Sequence, residues 1–271
     1  MHADAIFPEE SKGMDENEPL SGEPVSRTLV RLKKPVIIGS EPGKTIDTNV
    51  VSARFFNCFN YSLLPQDAGT TLSVGITSAN AGEGKTLVAA NLAVSLATAN
   101  QRETILVDCN VRNPQLHMVF GTAAGPGLVD SFYDGAVHLC KTRVRDLYVL
   151  SAGGFRGRPA PQEKPSGTNG PSPRLAPVPS LQLEHLAAFR DVLYTLKEQF
   201  DFVIVDLPSI QENVFPLLFT NQLDGVLVVV NVGRTKQEDV EAVFRRLNQR
   251  QVLGFVLNRA GEDALRGQPG Q

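Results

Sequence analysis

The chain has 271 residues, a formal net charge of −3 and 42% hydrophobic side chains. That is enough apolar material for one sizeable core, and so weak an acidic balance gives no electrostatic ground for binding nucleic acid or an anionic membrane. Cys58, Cys109 and Cys140 are widely spaced and form no C-x-x-C pair, which argues against a zinc site or a disulfide framework. No apolar run approaches the roughly 20 residues of a membrane span, and no signal-peptide pattern opens the chain, so a cytoplasmic protein is expected.

Residues 1–48 are rich in Glu, Pro, Gly and Ser with little periodicity, and are expected to be disordered. The folded domain is expected over 49–260. Within it, residues 50–64 carry Phe55, Phe56, Phe59, Leu63 and Leu64 at partly helical spacing, which predicts packing across the domain. The apolar run 72–76 predicts a buried strand, and Leu87, Ala90, Leu92, Val94, Leu96 and Ala97 predict the face of an amphipathic helix.

Between that strand and helix lies Thr77-Ser78-Ala79-Asn80-Ala81-Gly82-Glu83-Gly84-Lys85-Thr86. Gly82 and Gly84 let the backbone curl so that successive N–H groups face a polyphosphate, and the helix N-terminus adds partial positive charge. Ala81, Gly82, Glu83, Gly84, Lys85, Thr86 and Leu87 are therefore the candidate nucleotide cradle. Lys85 is placed to meet the β- and γ-phosphates, and the Thr86 hydroxyl to bind Mg²⁺. Ala79 stands where such loops usually open with Gly. A Gly-Lys-Thr turn without function is the bland alternative, opposed by the strand before it and the helix after it.

Next comes a β-branched strand, 104–107, ending on Asp108-Cys109-Asn110-Val111-Arg112-Asn113-Pro114. A carboxylate at the end of a strand beside a phosphate loop is where an open α/β sheet places ligand chemistry. The stretch 153–180 holds Pro159, Pro161, Pro165, Pro171, Pro173, Pro177 and Pro179, which forbid a regular helix. It reads as a mobile linker or as a docking peptide for an aromatic groove. A helix over 181–199 leads to Phe202-Val203-Ile204-Val205-Asp206-Leu207-Pro208, an apolar strand ending in a carboxylate suited to orienting Mg²⁺. Either Asp taken alone also fits a helix cap or a turn. A helix over 236–250 and a tail over 261–271 complete the chain. The pattern predicts a doubly wound, mostly parallel α/β sheet of the P-loop nucleotidase class.

Taken together, residues 77–93, 107–121, 200–208 and 223–258 resemble the cytoplasmic kinase domain of bacterial tyrosine kinases of capsule and exopolysaccharide synthesis. The most specific stretch is Asp108-x-Asn110-x-Arg112-x-Pro114-Gln115-Leu116-His117-x-x-Phe120-Gly121. Gly127-Leu128-Val129-Asp130, the strand 225–230, the Gly233-Arg234-Thr235 turn and Gly254-Phe255-Val256-Leu257-Asn258-Arg259 continue the likeness in order. The resemblance implies ATP and Mg²⁺ as ligands, Thr86, Asp108 and Asp206 handling the metal, and Lys85, Asp108, Asn110 and Asp206 as the catalytic positions. It implies an adenine contact for Asn258, against an ordinary turn role. Arg112 is a candidate to neutralise phosphate charge or cross a subunit boundary, against a surface salt bridge. A transmembrane polysaccharide chain-length protein is the implied partner, through which the chain would reach the inner face of the membrane, and homo-oligomers are part of the same expectation.

Three departures accompany the match. The family normally has a second Asp at position 110, where it helps deprotonate the attacking tyrosine, and an Asn amide accepts no proton at working pH. The Glu and two Arg of the family's oligomerisation helix correspond to Val51, Arg54 and Asn57, leaving Arg54 alone. The family's C-terminal tyrosine cluster is missing, since no tyrosine follows Tyr194. These losses point to a weakened or noncatalytic member. The other readings are a nucleotide-dependent scaffold of the polysaccharide machinery and a partition- or division-site ATPase. The latter proteins carry an extra Lys early in the phosphate loop, where this chain has Asn80.

Overall fold

A computed structural model describes residues 36–39, 71–99, 101–154, 181–211 and 217–259, the first group by its backbone alone. The expectations for residues 50–64, for Val51, Arg54 and Asn57, for most of the Pro-rich insertion and for the tail fall outside the described residues.

Among the described residues eight strands form one sheet in the order β1-β4-β5-β3-β6-β2-β7-β8. They are β1 (Val36–Gly39), β2 (Leu72–Ser78), β3 (Thr104–Asp108), β4 (Val137–Lys141), β5 (Leu147–Leu150), β6 (Phe202–Asp206), β7 (Gly225–Asn231) and β8 (Val252–Asn258). Every neighbouring pair is parallel except β4 with β5. β1 lies inside the stretch expected to be disordered and corrects that expectation at four residues. Its Val-Ile-Ile run is too short to stand out from a polar segment.

The helices are α1 (Lys85–Ala99), α2 (Leu116–Phe120), α3 (Leu128–Tyr133), α4 (Leu186–Lys197) and α5 (Gln237–Arg246). The helix expected over 181–199 is split, with a 3₁₀ turn at Leu183–His185 before α4. That expected over 236–250 stops at Arg246, where Leu247 turns extended.

Alternation along the central strands shows why helices cover both faces. Leu106, Phe202, Ile204, Leu227 and Val229 point to a cluster with Val88, Leu92 and Leu96 of α1. Ile105, Val107, Val203 and Val205 point the other way, onto Phe189, Val192, Leu193 and Leu196 of α4. On that second face Val226 and Val228 meet Val243 of α5. Strands buried on both faces read as continuous apolar runs, which is how they appear in the sequence. α1 corrects the amphipathic expectation: residues 88–93 and 95–97 are buried. Asn91 and Ser95 sit inside with the rest, and the least buried positions are Leu87, Val94 and Thr98, so the exposed side of the helix is not its polar side.

β2 is flanked by β6 and β7, while the chain leaving it through α1 lands beyond β6, on β3. The chain leaving β6 goes the other way, past β2 to β7, so the carboxyl ends of β2, β3 and β6 lie at a switch in strand order, the place where open parallel sheets take ligands.

Candidate active site

The phosphate loop connects β2 to α1, with Lys85 as the first helical residue. Gly82 and Gly84 adopt φ of 78° and 94°, a region that L side chains rarely enter. Gly84 has a second constraint, because a Cβ there would collide with the Asn258 carboxamide. That carboxamide, at the end of β8, donates from Nδ2 to the Glu83 carbonyl at 2.8 Å. The Glu83 carboxylate is buried and accepts from the Asn80 backbone N–H at 3.1 Å, from Asn80 Nδ2 at 3.2 Å and from Thr235 Oγ1 at 2.6 Å. Asn80 Nδ2 also donates to Asp239 in the first turn of α5, at 3.1 Å. Loop, β7–α5 turn and β8 are thereby tied together around one peptide.

Two carboxylates stand beneath this loop. Asp108 and Asp206 end β3 and β6 and are both fully buried. Asp108 accepts three backbone N–H groups: Asn110 at 3.0 Å on Oδ1, Gln115 and Leu116 each at 3.1 Å on Oδ2. It caps α2 from seven residues away and fixes the turn that carries Asn110. Burial pushes its pKa to about 8, helped by the charge of Asp206 and opposed by those three N–H groups. Burial likewise raises Asp206, to about 6, with the Lys85 ammonium and the Thr86 hydroxyl as the opposing influences. Neither Asp206 oxygen receives a formed hydrogen bond, so Thr86 lies beside it without bonding geometry. Buried acceptors without donors are costly, and a carboxylate of this kind suits a hard divalent cation.

The structure brings Lys85, Thr86, Asp108 and Asp206 to one end of the sheet. Asn110 is buried beside Asp108. Arg112 and Ala81 are exposed, and Leu87 is partly so. Cys109 is buried, a small side chain in the core. Asn258 reaches the loop, but with its amide already committed to Glu83. Sequence reasoning missed Thr235 and Asp239 as loop partners. A Thr in a turn and an Asp in a first helical turn carry no sequence signal beyond their local roles.

No family model matches the chain. Tyrosine-protein kinase CpsD of Streptococcus agalactiae serotype III (strain NEM316) is 30% identical over 198 residues, which is 70% of this chain and 75% of that protein. The succinoglycan biosynthesis transport protein ExoP of Rhizobium meliloti (strain 1021) is 30% identical over 197 residues, 71% of this chain but 23% of that protein. The crystal structure of the chimerical protein CapA2B2 superposes with a TM-score of 0.64 at 24% identity, covering 84% of this chain and 96% of that one. The structural likeness speaks to the fold, and the sequence likeness to CpsD to the family. The chain belongs to the bacterial tyrosine-kinase family of P-loop proteins.

Proposed function

We propose that this chain binds Mg²⁺·ATP and works as a protein-tyrosine kinase regulating exopolysaccharide or capsule synthesis, with its transfer step slowed by Asn110. One observation carries the reading: Lys85 and Thr86, at the start of α1, stand beside a fully buried Asp206 whose two oxygens lack donors. Lys85 and the loop amides of 81–87 hold the phosphates, with Arg112 as a further cation near them. Thr86 and Asp206, with Asp108 behind them, hold the metal. Bound Mg²⁺ neutralises charge building on the transferred phosphoryl group. The protein's own part is to orient: the loop fixes the phosphates, and the Asp108 turn fixes Asn110. The Asn110 amide donates or accepts a hydrogen bond but takes no proton from a tyrosine hydroxyl. Asn258 steadies the loop from the side proposed for the adenine base.

The acceptor is a tyrosine of another protein. A transmembrane chain-length protein of the polysaccharide machinery is the proposed partner, and ExoP supports it, since the stretch like this chain is a minor part of a transport protein there. Among the described residues no helix is long and apolar enough to cross a membrane. The proposed location is the cytoplasm, at the inner face of the membrane when the partner is bound. Incubation with Mg²⁺·ATP, the partner and a tyrosine-rich peptide tests the reading. Slow, Lys85-dependent phosphotyrosine formation is expected.

Two observations favour the scaffold as the second reading: Asn110 replaces an acid, and Asp108 is engaged by three backbone N–H groups. In that case ATP binds and no phosphotyrosine forms. The partition-type reading is disfavoured at Asn80, where a neutral amide is turned onto Glu83 and Asp239 of its own chain.

A further inference from the structure

A buried carboxylate inside an anion-binding loop needs an explanation. Glu83 lies between Gly82 and Gly84, in the curl whose N–H groups are proposed to receive three phosphates, and like charges at such separations decide affinity. The Glu83 side chain is buried, with three donors on its two oxygens. The shortest of these bonds, 2.6 Å, comes from Thr235. Thr235 is itself fixed in direction: its oxygen accepts the Asn231 N–H at the end of β7 at 2.9 Å, which leaves its proton for Glu83. The turn beneath it is closed by Arg234 and Thr235 N–H bonds to the Asn231 carbonyl, at 3.0 and 2.9 Å.

We propose that Thr235 is a positioning residue for the phosphate cradle, holding the Glu83 carboxylate against the β7–α5 turn and off the bound phosphates. The inference rests on the Mg²⁺·ATP reading of the loop. Asn80 holds the same carboxylate from the loop side, and is itself anchored on Asp239, which also takes Gln211 Nε2 at 2.7 Å. Those two amides keep the Asp239 carboxyl below the usual carboxylate range, so this anchor is charged at neutral pH. Loss of the Thr235 hydroxyl frees one side of Glu83 to turn toward the phosphates. The penalty then grows with phosphate charge, and it depends on the charge of Glu83. A purely structural threonine has neither property.

The test is isothermal titration of the full chain with Mg²⁺·ATP, Mg²⁺·ADP and adenosine. Thr235→Val, close in shape, should weaken ATP about tenfold to a hundredfold, the range of a hydrogen bond to a charged group. ADP should suffer less and adenosine not at all. Thr235→Ser, which keeps the hydroxyl, should bind like the wild type. The double variant Thr235→Val/Glu83→Gln should recover most of the lost ATP affinity, because no charge remains to repel. Equal losses for all three ligands, or a double variant as weak as Thr235→Val, would overturn the inference. A wild type that takes up no Mg²⁺·ATP overturns the nucleotide reading and this inference with it; a wild type and a valine variant that bind ATP equally overturn this inference alone.

Discussion

Asp108 and Asp206 are register partners on the neighbouring parallel strands β3 and β6. Their carboxyls therefore share one end of the sheet, and the electrostatics follow from that geometry. Each is stripped of water, and each raises the energy of the other's charge. One is compensated by three backbone N–H groups, the other by the Lys85 ammonium and the nearby Thr86 hydroxyl, with no formed hydrogen bond. The asymmetry separates a carboxylate that holds its own turn from one whose oxygens have no donor.

A pH dependence follows. Both folded-state values, about 8 for Asp108 and about 6 for Asp206, lie above the ordinary 3.8. The fold thus prefers the protonated forms, and their stabilising contribution is whole below about pH 4 and lost as pH rises through about 6 and then about 8. For this pair, ligand-free melting temperature should fall between about pH 4 and about pH 8, most steeply below about pH 6 where both groups contribute. Asp206→Asn should flatten that fall, and added Mg²⁺ should oppose it at the alkaline end. A wild type and Asp206→Asn with parallel pH profiles would contradict the assignment.

The role of Asp108 as an anchor makes a local prediction. Asp108→Ala leaves the amides of Asn110, Gln115 and Leu116 without their acceptor. Hydrogen exchange at Gln115 and Leu116 should speed up by about tenfold or more, while α1 and β6 keep their protection. Unchanged protection at both amides would mean that the α2 cap does not depend on this carboxylate.

Two loop glycines should respond differently to alanine. At Gly82 a Cβ meets open space, so only backbone strain of about 1–2 kcal/mol applies. At Gly84 the same strain is joined by the clash with the Asn258 carboxamide, so Gly84→Ala should be the more destabilising in urea unfolding. Asn258→Ala in that background should return part of the loss. Equal effects of the two alanines would argue that Asn258 does not pack on the loop.

Much of this site was legible because its chemistry is local in sequence. The phosphate loop, and the carboxylates closing β3 and β6, each sit where an apolar run stops, and a stop of that kind can be read without a fold. The tethers could not be read that way. Thr235 is 152 residues from Glu83 and Asn258 is 175 from the carbonyl it holds, contacts that only the sheet order creates. The amphipathic reading of α1 failed for a related reason: Asn91 and Ser95 look like a polar face in one dimension, but the sheet and its neighbours cover them. β1 was missed because four residues are too few for a period to declare itself.

The proposed catalytic deficit has its own test. Asn110→Asp restores a carboxylate on the turn that Asp108 holds, and phosphotyrosine formation on a supplied tyrosine-rich peptide should rise by roughly a hundredfold or more. A brisk wild-type rate that the substitution leaves unchanged would contradict the idea of a missing base. No transfer by either form, with ATP still bound, would favour the scaffold.

Binding of Mg²⁺·ATP by Lys85→Ala tests the central claim most directly. The substitution removes the ammonium proposed to meet the β- and γ-phosphates and leaves the loop's backbone as it is. Isothermal titration should show saturable Mg²⁺·ATP binding by the wild type and none by Lys85→Ala, with matching circular dichroism melts in the absence of nucleotide. Equal affinity in the two proteins would contradict the account, because the phosphate loop would then not be where the nucleotide binds.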